Sequence, residues 1–174
     1  MAVDFKTSET MKNLMKAFAG ESQARNRYTF AAGQAKKENL YVISAIFKFT
    51  AKQEKEHAEI FYNHLKEMAG ENISINGTYP VDITESVIQL LRYAEHNEME
   101  EYGDVYKHFS EVASSEGFAK ISADFKMIAD IEKILDEVIF IENGEIILHD
   151  SVAALREKEK CSIDEFFRRK FYVR

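Results

Sequence analysis

Six charged side chains fall where the apolar periodicity of four predicted helices calls for core: Glu21, Glu54, His57, Glu98, Glu101 and Glu132. In the first helix, about residues 8–37, the inward stripe runs Leu14, Ala17, Phe18, Ala24, Tyr28, Ala31 and Ala35, and Glu21 fills its one gap. The second, about 40–69, carries Ile43, Ile46, Phe47 and Thr50, then Glu54 and His57, then Phe61, Leu65 and Met68. The third, about 85–113, sets Glu98 and Glu101 into a stripe of Val87, Ile88, Leu91, Ala94, Val105, Phe109 and Val112. The fourth begins near 117 and places Glu132 after Phe118, Ile121, Phe125 and Ile128. Burying an unpaired carboxylate costs on the order of several kcal/mol, so five of them around one imidazole need a cation among them.

The punctuation of the chain gives the connectivity. Thr7 or Ser8 can cap the first helix, Glu38-Asn39 ends it, and Gly70 ends the second. Residues 70–83 contain Asn76-Gly77 and the only proline, Pro80, and read as a crossover rather than a helix. Thr84 caps the third helix, and Ser114 to Gly117 form a turn before the fourth. Two helical hairpins joined by one long crossover predict a mainly α, ferritin-like four-helix bundle over 1–135. The two hairpins form a weak internal repeat, each with acid on its inner face. Beyond it the character changes. DEVIFIENGEIILHD is rich in β-branched residues around Asn143-Gly144, which predicts a β-hairpin with a type I′ turn. Ser151 and Ser162 can each cap a short amphipathic helix, so residues 136–174 are expected to be a non-bundle extension.

Spacing supplies the chemistry. Glu54 and His57 are three apart, as are Glu98 and Glu101, so each pair projects from one helix face. A di-metal carboxylate bundle takes one Glu from each of two helices and Glu-x-x-His from the other two. Carboxylate with imidazole suits iron or manganese, with zinc a possible substitute. The net charge of −7 argues against a nucleic-acid partner. One cysteine, Cys161, excludes an internal disulfide and a four-cysteine metal site. The N-terminus lacks a leader pattern, and no apolar run reaches the roughly 18 residues of a membrane span, so a cytoplasmic protein is expected.

Four strings carry a family resemblance: NLMKAFAGESQARNRYTFAAGQAKKE around Glu21, AKQEKEHAEIFYNHL around Glu54 and His57, EMEEYGDVY around Glu98 and Glu101, and SSEGFAKISADFKMIADIEKI around Glu132. Residues 11–134 resemble the di-iron domain of rubrerythrins. The resemblance implies two non-haem irons held by Glu21, Glu54, His57, Glu98, Glu101 and Glu132, with Tyr28 and Tyr106 close to them. It implies reduction of hydrogen peroxide to water, an iron that moves between Glu101 and His57, and a homodimer. With a single cysteine, electrons are expected from an external rubredoxin-like or NADH-linked donor. One position departs from the pattern: Leu135 stands where the family has a ligand histidine. That departure raises the alternative of an iron-handling bundle with impaired turnover. Residues 136–172 resemble the C-terminal end of an ABC-transporter ATP-binding subunit, although the chain contains no G-x-x-x-x-G-K-[ST].

Overall fold

Ser8 starts the first long helix, α1 (Glu9–Lys37), by accepting a hydrogen bond at Oγ from the Met11 N–H at 3.0 Å. The structure is a computed structural model. It describes residues 3–100, 105–134, 137–142, 145–151, 158 and 160, with backbone alone for 98–100, 132–134, 137–142 and 145–151. The chain separates into two compact units, Met1–Asp130 and Ile131–Arg174.

A second device caps the same helix end. Glu116, from the turn near Gly117, accepts from the Glu9 N–H at 3.0 Å, the Thr10 N–H at 2.8 Å and the Thr10 hydroxyl at 2.5 Å. A carboxylate at this end meets both the unbonded N–H groups and the positive pole of the helix. At the far end Asn39 adopts φ 62°, and the Leu40 N–H closes onto the Ala35 carbonyl at 2.9 Å. The chain then reverses into α2 (Tyr41–His64), which tightens to a 3-10 turn over Leu65–Met68.

Small residues let these two helices approach closely. Ala24, Ala31, Ala32 and Ala35 of α1 share one apolar cluster with Phe47 and Ala51 of α2, and with Val87 and Leu90 beyond the crossover. The buried Ser44 hydroxyl donates to the Ala32 carbonyl at 2.8 Å, a polar tie between the helices. The crossover carries Asp82, which pairs with Arg27 Nη1 at 2.5 Å and accepts from Asn97 Nδ2 at 2.9 Å. It leads into α3 (Val87–Glu100), followed by α4 (Tyr106–Ser115) and α5 (Ala119–Ile134). A second cluster gathers Leu14, Phe61, Tyr106, Phe109, Phe125 and Ile128. His64 Nε2 lies 2.6 Å from Asp124 Oδ2 and links α2 to α5. No described helix is long and apolar enough to cross a membrane.

Several expectations are corrected here. The expected fold was a four-helix bundle finished by a β-hairpin and two short helices. The described elements of Met1–Asp130 are helices, with no strand among its described residues, so the fold is mainly α and the hairpin is no element of it. Backbone segments β1 (Glu137–Glu142) and β2 (Glu145–Ser151) pair antiparallel only irregularly, slipping between Phe140 and Ile141. A lone two-stranded ladder is at best marginal in water, so it adds no layer to the mainly α fold. The Asn143-Gly144 turn lies outside the described residues, as do the two short helices apart from Lys158 and Lys160. The third predicted helix is described as two segments, α3 and α4, with 101–104 outside. Ile46, Ile88 and Leu91, expected to point inward, are exposed, while Leu90 is buried. Steps of three or four cannot by themselves say which side of a broad apolar stripe faces the core.

The Glu116 contact generates a stability prediction. Burial pushes this carboxyl's pKa up, but the hydrogen bonds from Thr10 and the Glu9 N–H outweigh it and hold it below the ordinary carboxylate range. A pKa depressed on folding adds stability above the unfolded value, about 4.3 for Glu, and loses it as pH falls through the folded value. Glu116→Ala should therefore cost about 1–2 kcal/mol at pH 7, a drop of roughly 2–8 °C in Tm. The gap between the two proteins should narrow in thermal melts at pH 3.

Candidate metal centre

Along both α1 and α2 the apolar pattern is interrupted at the junction between the two clusters. On α1 the order is Ala17 in one cluster, then Glu21, then Ala24 in the other. On α2 it is Ala51, then Glu54 and His57, then Phe61 in the opposite sense. Antiparallel packing of the two helices therefore brings the three polar residues to the same level. Glu21 and Glu54 are each 1% exposed and His57 is 6% exposed.

One ligand atom from each of Glu21, Glu54 and His57 lies within 4.8 Å of the others. His57 Nδ1 faces Glu54 Oε2 at 3.6 Å and Glu21 Oε2 at 3.9 Å, separations too long for a direct hydrogen bond. Neither Glu54 oxygen has a hydrogen-bond partner among the described residues. A buried carboxylate left this way is costly, whereas a shared cation would neutralise it. Two carboxylates and an imidazole are the donor set that suits iron or manganese, so these residues fit a metal of that class.

Tyr106 fixes the orientation of one carboxylate. Its ring is 2% exposed, packed against Phe61, Phe109 and Phe125, and its hydroxyl donates to Glu21 Oε1 at 2.5 Å. The hydrogen bond occupies one Glu21 oxygen, and Oε2 is the one that faces His57. Tyr28, the other tyrosine singled out in the sequence, is 3% exposed and stacks on Phe47 with centroids 6.1 Å apart.

Of the six predicted ligands, the structure thus brings Glu21, Glu54 and His57 together. Glu98 lies on α3 and Glu132 on α5, described as backbone only, and Glu101 and Leu135 lie outside the described residues. Sequence reasoning missed the polar network beside the site. Arg27 Nε donates to Gln23 Oε1 at 2.8 Å while its Nη1 holds Asp82. The spacing of Gln23 and Arg27 by four was a visible helical pair, but the choice of a crossover aspartate as partner carried no sequence signal.

Known proteins resemble this chain over most of its length. The family model described as Rubrerythrin matches residues 12–134. A rubrerythrin of Clostridium perfringens is 41% identical over 153 residues, which cover 84% of this chain and 78% of the relative. One of Porphyromonas gingivalis is 42% identical over 151 residues, covering 84% and 74%. One of Nitratidesulfovibrio vulgaris is 37% identical over 156 residues, covering 87% and 80%.

Substituting Glu54→Gln separates a metal ligand from a merely buried acid. The change removes a buried charge, so the metal-free protein should be as stable as the parent or more stable. The stabilisation gained on adding ferrous iron should shrink by about 1.4 kcal/mol for each tenfold loss of affinity. Thermal melts with and without iron measure both. An undiminished iron-dependent gain would remove Glu54 from the site.

Proposed function

Because this chain belongs to the rubrerythrin family, we propose that Glu21, Glu54 and His57, with Glu98, Glu101 and Glu132, are the residues that hold its iron pair. The protein is a non-haem di-iron oxidoreductase of the rubrerythrin type, a peroxidase. The observation that supports the assignment of ligands is the buried Glu54 carboxylate, without a hydrogen-bond partner among the described residues, with one ligand atom within 4.8 Å of one each from Glu21 and His57. When bound, the reduced iron pair would supply the two electrons that, with two protons, convert hydrogen peroxide to two waters.

The chain's own residues supply the rest. Glu21 and Glu54 provide the negative charge that balances the metals in a nearly water-free interior. The Tyr106 hydroxyl holds the Glu21 carboxylate in one orientation, leaving Oε2 on the His57 side. Phe61, Phe109 and Phe125 hold the Tyr106 ring in place. The alternative of an iron-handling bundle with impaired turnover is not favoured by kinship to these relatives.

Four finer readings belong with this one. The electron donor is a rubredoxin-like protein, a reading supported by membership of the rubrerythrin family. The location is the cytoplasm, supported by the chain's single cysteine. The protein is a homodimer, supported by Val42, Ile46 and Phe49. These occupy one outward line of α2 at steps of four and three and are 72%, 50% and 62% exposed. Residues 136–172, with their likeness to an ABC-transporter subunit terminus, are a non-bundle extension beyond the family-model match and carry no ATPase activity.

Two measurements test these readings. Tyr106→Phe should keep its iron and lose peroxidase kcat by on the order of tenfold, the usual consequence of removing a hydrogen-bond partner behind a ligand. An unchanged kcat would deny Tyr106 its positioning role. In sedimentation velocity the parent should run as a dimer, and Ile46→Glu with Phe49→Glu as a monomer. A parent that is monomeric at micromolar concentration would refute the dimer.

A further inference from the structure

A cavity of about 230 Å³ lies between the crossover and the inner helices, bounded by Gly20, Gln23, Gly77, Tyr79, Asn97 and Tyr106. Its lining includes Tyr106, whose hydroxyl bonds Glu21, so one side chain stands between the cavity and the candidate metal centre. Its outer wall is the Tyr79 ring, 38% exposed. The space would hold on the order of ten water-sized molecules, so a limit on guest size is set at its outer wall and not by its volume.

The wall is held in place from both sides. The Tyr79 hydroxyl donates to the Lys16 carbonyl at 3.4 Å. Three residues on, Asp82 is tied to Arg27 of α1 and Asn97 of α3. Two glycines make room for the ring. A Cβ on Gly77 would meet it at 2.9 Å, a forbidden approach. A Cβ on Gly20 would meet Tyr79 Cε1 at 3.9 Å, so a larger side chain there would fill the cavity. The lining is also chemically suited to a small polar guest. Gln23 turns its Oε1 to Arg27, and its Nε2 is buried without a hydrogen bond among the described residues. Asn97 and Tyr106 add further polar groups.

The geometry points to this cavity as the vestibule through which hydrogen peroxide reaches the iron site, with Tyr79 setting the size limit against bulkier hydroperoxides. This inference rests on the peroxidase reading above. Tyr79 touches no reacting atom; it is a specificity-determining residue.

The test uses the full chain loaded with iron and two variants. Tyr79→Ala removes the outer wall, and Gly20→Leu fills the space. With iron per chain unchanged, Tyr79→Ala should raise kcat/KM for tert-butyl hydroperoxide at least tenfold and leave that for hydrogen peroxide within twofold. Gly20→Leu should lower kcat/KM for hydrogen peroxide at least tenfold. It should also slow the binding of azide to the oxidised protein, followed by absorbance, by a similar factor. If Tyr79→Ala keeps its iron and its hydroperoxide preference is unchanged, the vestibule is refuted. Should Gly20→Leu lose iron by displacing Glu21, the Tyr79→Ala comparison decides alone. If the parent binds iron and azide but turns over no peroxide, the peroxidase reading fails. Faster azide binding in Tyr79→Ala with slower binding in Gly20→Leu would then still support the access route, and equal rates would overturn it. A parent that takes up no iron overturns both.

Discussion

Two carboxylates and an imidazole buried together at one level of a helical pair constrain everything else in this protein. Glu21 and Glu54 sit deeper than most of the apolar residues around them. Water cannot solvate them there, and the nearest imidazole nitrogen stands too far off to hydrogen bond to either. Without a cation such a core would favour partial opening. With one, the same residues become a rigid brace between α1 and α2. Iron held by these residues would link folding to metal binding, because it would bind the assembled site more tightly than the unfolded chain.

The polar layer divides the interior rather than merely interrupting it. On one side lies an alanine-rich seam, where small side chains allow close helix approach and Ser44 ties α2 to the Ala32 carbonyl. On the other lies an aromatic cluster, where Phe61, Phe109 and Phe125 pack edge-on or tilted around Tyr106. The second cluster positions a hydroxyl against Glu21, and so couples packing to the orientation of a ligand. A rigid aromatic surround suits that task, since a misplaced hydrogen-bond donor would release the carboxylate it is meant to hold.

The crossover has a comparable double use. It connects the two halves of the bundle, and its Asp82 anchor and Tyr79 ring place a wall beside the buried centre. Arg27 belongs to the same helix as Glu21, two turns on, so the strap is fastened to the element that carries a candidate ligand. Access and ligand geometry are thus built on one helix.

Helical periodicity determined a good deal. It placed α1 and α2 almost to the residue, because capping residues and a 3.6-residue stripe are local properties. It also marked Glu21, Glu54 and His57, since an acid on an apolar face is visible without any partner. Other features depended on which distant segments meet. The exposure of Ile46, Ile88 and Leu91 followed from the sides on which neighbouring elements packed. Tyr106 is no member of the predicted stripe, yet tertiary packing buries it and brings its hydroxyl 85 residues along the chain to Glu21. The Glu116 cap on α1 and the Asp82 clamp on Arg27 join residues 106 and 55 positions apart. Alternation suggested a hairpin beyond the bundle, but a two-stranded pairing carries too little burial to be fixed by pattern alone. The sequence by itself determined where charge had to be buried, because the hydrophobic period is written into each helix. Only the tertiary structure decided what surrounds that charge, because contacts between remote residues leave no period behind.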